Sequence, residues 1–359
     1  MGNQELHTSV IAYADDVTIF VTSIADFPII EEAIRLFERA SGAGLNPRKS
    51  KAMAVGGWCT KETVLGIDYH TYVTILGITF WGTIAQTIND SWARLSKKVR
   101  LQAKQAYTRD QCITHRIRYV HGFLLFKLWY TAQVLPAVRP YTQQLSTAIT
   151  WCIWRGVVFI VPVSTLQKPK KDGGWGLLDL EAQCRALLLC RMYVQSKEEG
   201  TMTAAWMESS GLAEGQQNPP NANRTLKHFV YLYTYTTDMA YIKSPEQNES
   251  LRAFRKRTYT TLHTMELATK GIRDMHVVQL HPDTHFTRLW YNLHAARVSE
   301  ELKAVWYTAV HDIIPTHDRL AKIRLRASNI CNLCGRTDNI QHRRTECTML
   351  KYGRGHAPK

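Results

Sequence analysis

The chain has 359 residues, 45% of them hydrophobic and 21% charged, the balance of an ordinary globular protein. That excludes wholesale disorder and collagen-like or coiled-coil architectures, and at roughly 100–200 residues per domain the length allows two or three domains. Lys and Arg number 45 against 30 Asp and Glu, a net charge of +15 that points to a polyanionic partner, above all nucleic acid.

The opening residues, MGNQELHTS, lack the apolar core of a secretory signal. Gly2 after Met1 reads as an accidental start rather than a lipid-attachment site. Ser9-Val10-Ile11-Ala12 and Val17-Thr18-Ile19-Phe20-Val21 are rich in β-branched residues. They flank Tyr13-Ala14-Asp15-Asp16, which predicts a β-hairpin with Asp15 and Asp16 at its turn. A helix follows, with Asp26 as its cap and Pro28 in its first turn. Ile30, Ile34 and Phe37 lie on one face with Ala33 and Ala40, and Gly42 and Gly44 end it. Next comes the basic turn Leu45-Asn46-Pro47-Arg48-Lys49-Ser50-Lys51, then a second β segment, Tyr72 to Trp81, around Leu76-Gly77-Ile78.

From Trp92 the period is helical. Trp92, Leu95, Val99, Ala103 and Ala106 form an apolar stripe, and Lys97, Arg100 and Lys104 fall on the opposite face. That face suits plain solvation and suits a phosphate backbone equally. Further helices are predicted across 110–135, 141–155 and 179–197. The most apolar stretch, Phe123 to Val138, is interrupted by Lys127 and Gln133 and is too short to cross a bilayer. Gly173-Gly174-Trp175-Gly176-Leu177 lacks the spacing of a phosphate loop and reads as a turn. Residues 209–225, rich in Pro, Gly, Asn and Gln, are the best linker, with 243–250 a lesser one, and helices resume beyond it.

Cys59, Cys112, Cys152, Cys184 and Cys190 are scattered and read as small core hydrophobes. Without a secretory signal, a reducing interior, nucleus or cytoplasm, is the expected compartment. The tail differs. Cys331-Asn332-Leu333-Cys334-Gly335, His342 and Cys347 give Cys-x2-Cys-x7-His-x4-Cys, four soft or borderline ligands with no open position, the pattern of structural Zn²⁺. Gly335 allows the close turn after the second thiol. Residues 316–359 hold ten basic residues against three acidic ones. Thr316 can cap a helix there that faces Leu320 and Ile323 inward while Arg319, Lys322, Arg324 and Arg326 stay wet. With Arg343 and Arg344 they form a candidate RNA- or DNA-binding surface.

Two adjacent carboxylates at a hairpin tip repel unless a cation neutralises them, and Mg²⁺ suits such a pair. In order, Tyr13-Ala14-Asp15-Asp16, Gly44-Leu45-Asn46 with Lys49-Ser50, and Leu76-Gly77-Ile78 resemble the palm of non-LTR (LINE-type) retrotransposon reverse transcriptases. Ile313-Ile314-Pro315-Thr316 through Cys347 resembles the zinc-binding region that follows the thumb in those proteins, with looser similarity around Gly173 to Ala186. The resemblance implies an α+β chain in five parts. These are a partial palm over 1–90, a helical thumb and connector over 91–208, a linker over 209–225, a helical region over 226–312 and a basic zinc region over 313–359.

It implies two-metal nucleotidyl transfer in the intact family. Asp15 would be the metal ligand and Asp16 its catalytic support. Tyr13 would stand by the nucleotide with Lys49, or Lys51 in its place, near the phosphates. Leu76 and Gly77 would grip the primer, and the helices from Trp92 would track template and primer. The family's palm needs a further aspartate from a strand before this hairpin, and only eight residues precede Ser9. The expectation is therefore an incomplete Mg²⁺ site, open strand edges and a chain that does not polymerise alone. The alternative is a zinc-stabilised nucleic-acid-binding protein without catalysis, or a relic.

Overall fold

A computed structural model of the chain describes residues 9–14, 16–55, 66–107, 111–156, 161–198, 248–269, 285–311, 316–322 and 326–348, with 242, 245, 314 and 324 as single positions. The fold is mixed, with two small antiparallel hairpins and a larger helical body. The linker expected over 209–225 and the residue Asp15 lie outside the described residues, as does half of 243–250.

Strand β1 (Ser9–Tyr13) pairs with β2 (Asp16–Phe20), Tyr13 opposite Asp16. The connection is two residues long, and Ala14 takes a positive φ of 53°, as such tight turns require. This register moves Asp16 off the tip, where the sequence put it, into the first position of β2. Helix α1 (Phe27–Ser41) follows. Asp26 does not cap it. Asp26 closes a 3-10 turn with helical dihedrals, whereas an N-cap needs an extended residue, and Ser23 fills that role by accepting from the Ala25 amide. Gly42, at φ +70°, ends α1 and donates to Glu38. Phe27 and Ile30 are buried, yet Leu36, Phe37, Val10, Ile11, Val17 and Phe20 are exposed. The first hairpin and α1 thus present an open apolar face.

Strands β3 (Tyr72–Ile75) and β4 (Ile78–Trp81) form the second hairpin. Its two-residue turn is Leu76-Gly77, both at positive φ (47° and 83°), a conformation that costs a non-glycine residue about 1 kcal/mol. Ile78 enters the main core, and the Trp81 amide donates to the Thr87 hydroxyl at 2.9 Å, fastening the hairpin to α2 (Ile84–Tyr107). Helix α2 starts eight residues before Trp92, so the boundary expected at 90/91 falls inside it. Its first turns bury Thr87, Ile88 and Ser91, two of them polar, which hides the helical period. Beyond them Trp92, Val99 and Ala103 are fully buried, and Trp92 donates its indole N–H to Pro136 at 2.8 Å.

Helix α2 packs chiefly on α5 (Arg139–Ile153). Between them run α3 (Ile113–Tyr119), a π-helical stretch (Val120–Leu125) and α4 (Phe126–Val134). After α6 (Val163–Gln167), α7 (Leu180–Lys197) is capped by buried Asp179, which accepts from the Glu181 and Ala182 amides at 3.0 and 3.2 Å. Helix α8 (Leu251–Thr269) lays Phe254 and Leu262 against Ala182, Ala186 and Leu189 of α7. Helices α9 (Phe286–Ala295), α10 (Glu300–Val310) and α11 (His317–Lys322) complete the described helices. Among the described residues no helix is long and apolar enough to cross a membrane.

The glycine-rich turn joins the two ends of the helical body. The Trp175 and Leu177 amides both donate to the Leu166 carbonyl, and Gly176 donates to Lys168. Tyr307 of α10 is wholly buried and donates its hydroxyl to the Gly173 carbonyl at 3.1 Å. Trp175, Trp290 and Tyr307 meet ring to ring at 5.2 and 5.9 Å. His311 stacks on Trp290, and burial pulls its pKa down to about 4, so it is neutral at pH 7. A Cβ on Gly174 would lie 1.9 Å from the Lys168 carbonyl oxygen, a backbone atom that cannot swing aside. Gly174→Ala is expected to cost about 3 kcal/mol or more in urea unfolding, whereas Gly44→Ala, in open space, should change stability by well under 1 kcal/mol.

Candidate metal centre and basic surface

The metal centre is built from two local motifs. In the first, Ile330 bridges Thr337 and the Cys331 amide donates to Arg336 at 2.7 Å, closing a small knuckle. Gly335 donates to Cys331 at 3.0 Å and sits at φ +73°, the left-handed geometry that favours glycine. In the second, the Asn339 side chain accepts from the His342 amide at 2.7 Å and starts a helical turn. That turn (His342–Glu346) carries the imidazole and delivers Cys347, whose amide donates to the His342 carbonyl.

These motifs bring the Sγ atoms of Cys331, Cys334 and Cys347 and the imidazole of His342 within 4.8 Å of one another. Cys334 Sγ lies 3.1 Å from His342 Nε2 and 4.0 Å from Cys347 Sγ. A tetrahedron with Zn–S near 2.3 Å and Zn–N near 2.0 Å has edges of roughly 3.5–3.8 Å, so the four groups fit zinc. Cys331, His342 and Cys347 are buried. The Leu333 amide and His342 hold the Cys331 thiol below its usual range, which favours the thiolate that a metal takes. The Cys3His cluster predicted from spacing is therefore assembled and can hold a zinc ion.

Asp338 braces it. This buried carboxylate accepts from Arg343 Nε and Nη2 at 2.7 and 2.6 Å and from the His317 amide at 2.8 Å. Its carbonyl accepts from Asp318, and its amide donates to Asn329. One residue thus links the knuckle, the His342 turn and the start of α11. The Arg343 guanidinium holds its carboxyl down at about 2. Thr316 caps α11 as predicted, accepting from the Arg319 amide at 3.3 Å.

The basic residues divide. Lys97, Arg100 and Lys104 are exposed along α2, Arg100 reaching the Gln144 side chain at 3.4 Å. Lys322 is exposed and forms a surface pair with Asp318 at 2.8 Å, an interaction weak enough for phosphate to displace. Arg319 is half-buried. Arg343 departs from the sequence reading, because its fork is committed to Asp338 and its role is to hold the metal turn. Arg344 lies on the same turn, its side chain outside the described residues. Arg324, Arg326 and Arg336 are exposed around the knuckle.

At the other end, Tyr13, Asp16 and Lys49 are all exposed, and no hydrogen bond or ion pair joins their side chains. Lys49 sits in a turn that Asn46 closes by accepting from the Arg48, Lys49 and Ser50 amides. The Lys51 ammonium lies 5.0 Å over the Tyr72 ring. Among the described residues no group of three possible metal ligands includes Asp16, so the geometry lends the Mg²⁺ expectation no support. Leu76 and Gly77 occupy the tip of the second hairpin.

Two features escaped the sequence. Phe123, Phe126 and Tyr130 form an exposed aromatic row whose neighbour Lys127 bonds Gln102 of α2 at 2.6 Å. The row spans a π-to-α transition, and within an apolar stretch it reads as core. Cys112 is half-buried beside His115 and Glu301, unlike Cys152, Cys184 and Cys190, which are core residues as expected. Cys59 lies outside the described residues.

A structural zinc makes metal affinity and local folding one quantity. Asp338→Asn at pH 7 should remove about 2 kcal/mol, judged from the depressed carboxyl, and so weaken zinc binding roughly 30-fold in a competition titration. The carboxylate's contribution is present above about pH 4 and is lost as pH falls from about 4 to about 2.

No family model and no curated protein matches this sequence.

Proposed function

We propose that this chain binds nucleic acid through the basic face of α2 and the basic zinc region, as the thumb-side portion of a non-LTR-type reverse transcriptase, and that it does not polymerise by itself. The observation that carries the binding reading is the braced Cys3His cluster. It fixes a small module whose exposed rim carries Lys322, Arg324, Arg326 and Arg336. Cations held on a rigid frame lose little entropy on meeting a phosphate backbone, and their release of counterions drives binding. Lys97, Arg100 and Lys104 add a second basic row. Phe123, Phe126 and Tyr130 offer rings on which unpaired bases can stack, worth roughly 1–3 kcal/mol per base.

The family reading draws its support from order along the chain. A Tyr-Ala-Asp-Asp hairpin, a basic Asn46-closed turn, a hairpin tipped by Leu76-Gly77, a long basic-faced helix and a zinc module follow one another. Inactivity is part of the same reading, since two-metal transfer needs several converging acids, and primer extension tests it.

Fluorescence anisotropy of the full chain with RNA and single-stranded DNA across salt tests this. Binding should weaken steeply with salt, about 0.7 log units per log unit for each phosphate contact. Joint Lys97→Ala, Arg100→Ala and Lys104→Ala should flatten that slope by about 2 units. Cys331→Ser should weaken binding at least tenfold, and Asp16→Asn should leave it within about twofold. Primer extension with Mg²⁺ should give no product. Salt-insensitive or absent binding would refute the reading, and template-directed synthesis would refute the inactivity.

A further inference from the structure

We propose that Cys112, His115 and Glu301 form a second divalent-metal site, selective for zinc or a comparable borderline ion, which ties α3 to α10 and keeps one coordination position open. This site is independent of the nucleic-acid reading and uses no residue of the C-terminal cluster.

Cys112 occupies the cap position of α3 in an extended conformation, yet its side chain makes no cap bond. One turn on, His115 directs Nδ1 to 3.4 Å from Cys112 Sγ. Two residues three apart at a helix start share a face, so the pair is set by local geometry alone. Arg116 fixes that start. It is buried and donates to the Ile153 carbonyl at 2.7 Å and to the carbonyl of Gln111, the residue just before Cys112. Across from it, Ser299 caps α10 by accepting from Leu302, which sets Glu301 in the first turn of that helix. Glu301 reaches the Cys112 thiol, and the three ligating atoms lie within 4.8 Å of one another.

The donor set argues for the ion. A tetrahedral zinc site places sulfur and nitrogen about 3.6 Å apart, close to the separation found. One thiolate, one imidazole and one carboxylate suit zinc, whereas Mg²⁺ and Ca²⁺ prefer oxygen alone. Three protein ligands among the described residues leave a fourth position for water, the pattern of an accessible rather than a sealed zinc. Beside the cluster a cleft of about 360 Å³, whose walls include Cys112, Ile113, Arg116, Arg155, Glu301 and Val305, gives that position room. Cys112 and Glu301 lie far apart in sequence, so a bound ion would act as a cross-link between the early and late parts of the helical body.

Full-length protein carrying one equivalent of zinc, which fills the tighter Cys3His site, is titrated with Co²⁺. One further equivalent should bind with a thiolate-to-cobalt charge-transfer band of single-thiolate intensity. Cys112→Ser should abolish that band, and Glu301→Gln, an exposed and structurally mild change, should weaken the second equivalent at least tenfold while keeping it. Circular dichroism verifies that both variants fold. A wild-type chain that takes up no second equivalent overturns the proposal, as does a second equivalent that keeps its affinity and spectrum in both variants.

Discussion

A single buried hydrogen bond, from the Tyr307 hydroxyl to the Gly173 carbonyl, marks the constraint on which the helical body depends. The turn it grips is packed so closely that Gly174 has no room for a side chain against Lys168. Trp175 and Trp290 close around Tyr307, excluding water from a bond that would otherwise trade with solvent at little gain. Through this contact α9 and α10 are held on the core built by α2 to α7. The placement of Glu301 opposite Cys112 inherits it.

The zinc module repeats the logic on a smaller scale. It buries too little apolar surface to define itself, so polar groups do the organising. Asp338 gathers the His317 amide and the Arg343 fork around one carboxylate. That arrangement converts a basic residue that looks like a ligand-binding group into a brace. The cations left at the rim stay exposed to water.

The first hairpin and α1 stand in contrast. Their strands pair in good register, but Val10, Val17, Leu36 and Phe37 remain exposed, and Ile30 is one of only two apolar side chains that α1 buries. A two-stranded sheet has no second layer to cover it and gains little stability alone. The second hairpin escapes this, since Ile78 enters the main core and Trp81 is fastened to Thr87.

Local chemistry determined much of what could be read from the chain. The strand arms of the first hairpin, the Gly42 stop, the Thr316 cap, the Trp92–Ala106 stripe and the four tail ligands each follow from residues a few positions apart, and such short-range rules act before any packing. Where they failed, a partner outside the pattern being read prevailed. Ser23 displaced Asp26 as a cap because the chain enters α1 through a 3-10 turn. Polar Thr87 and Ser91 were buried by the second hairpin and so concealed the first turns of α2. Arg343 was claimed by Asp338, and Gly174 acquired its necessity from the Lys168 backbone. Cys112 looked like one more core thiol until α10 brought Glu301 to it. Sequence spacing reports neighbours along a helix or turn, whereas which distant side chain arrives opposite is fixed only when the helices pack.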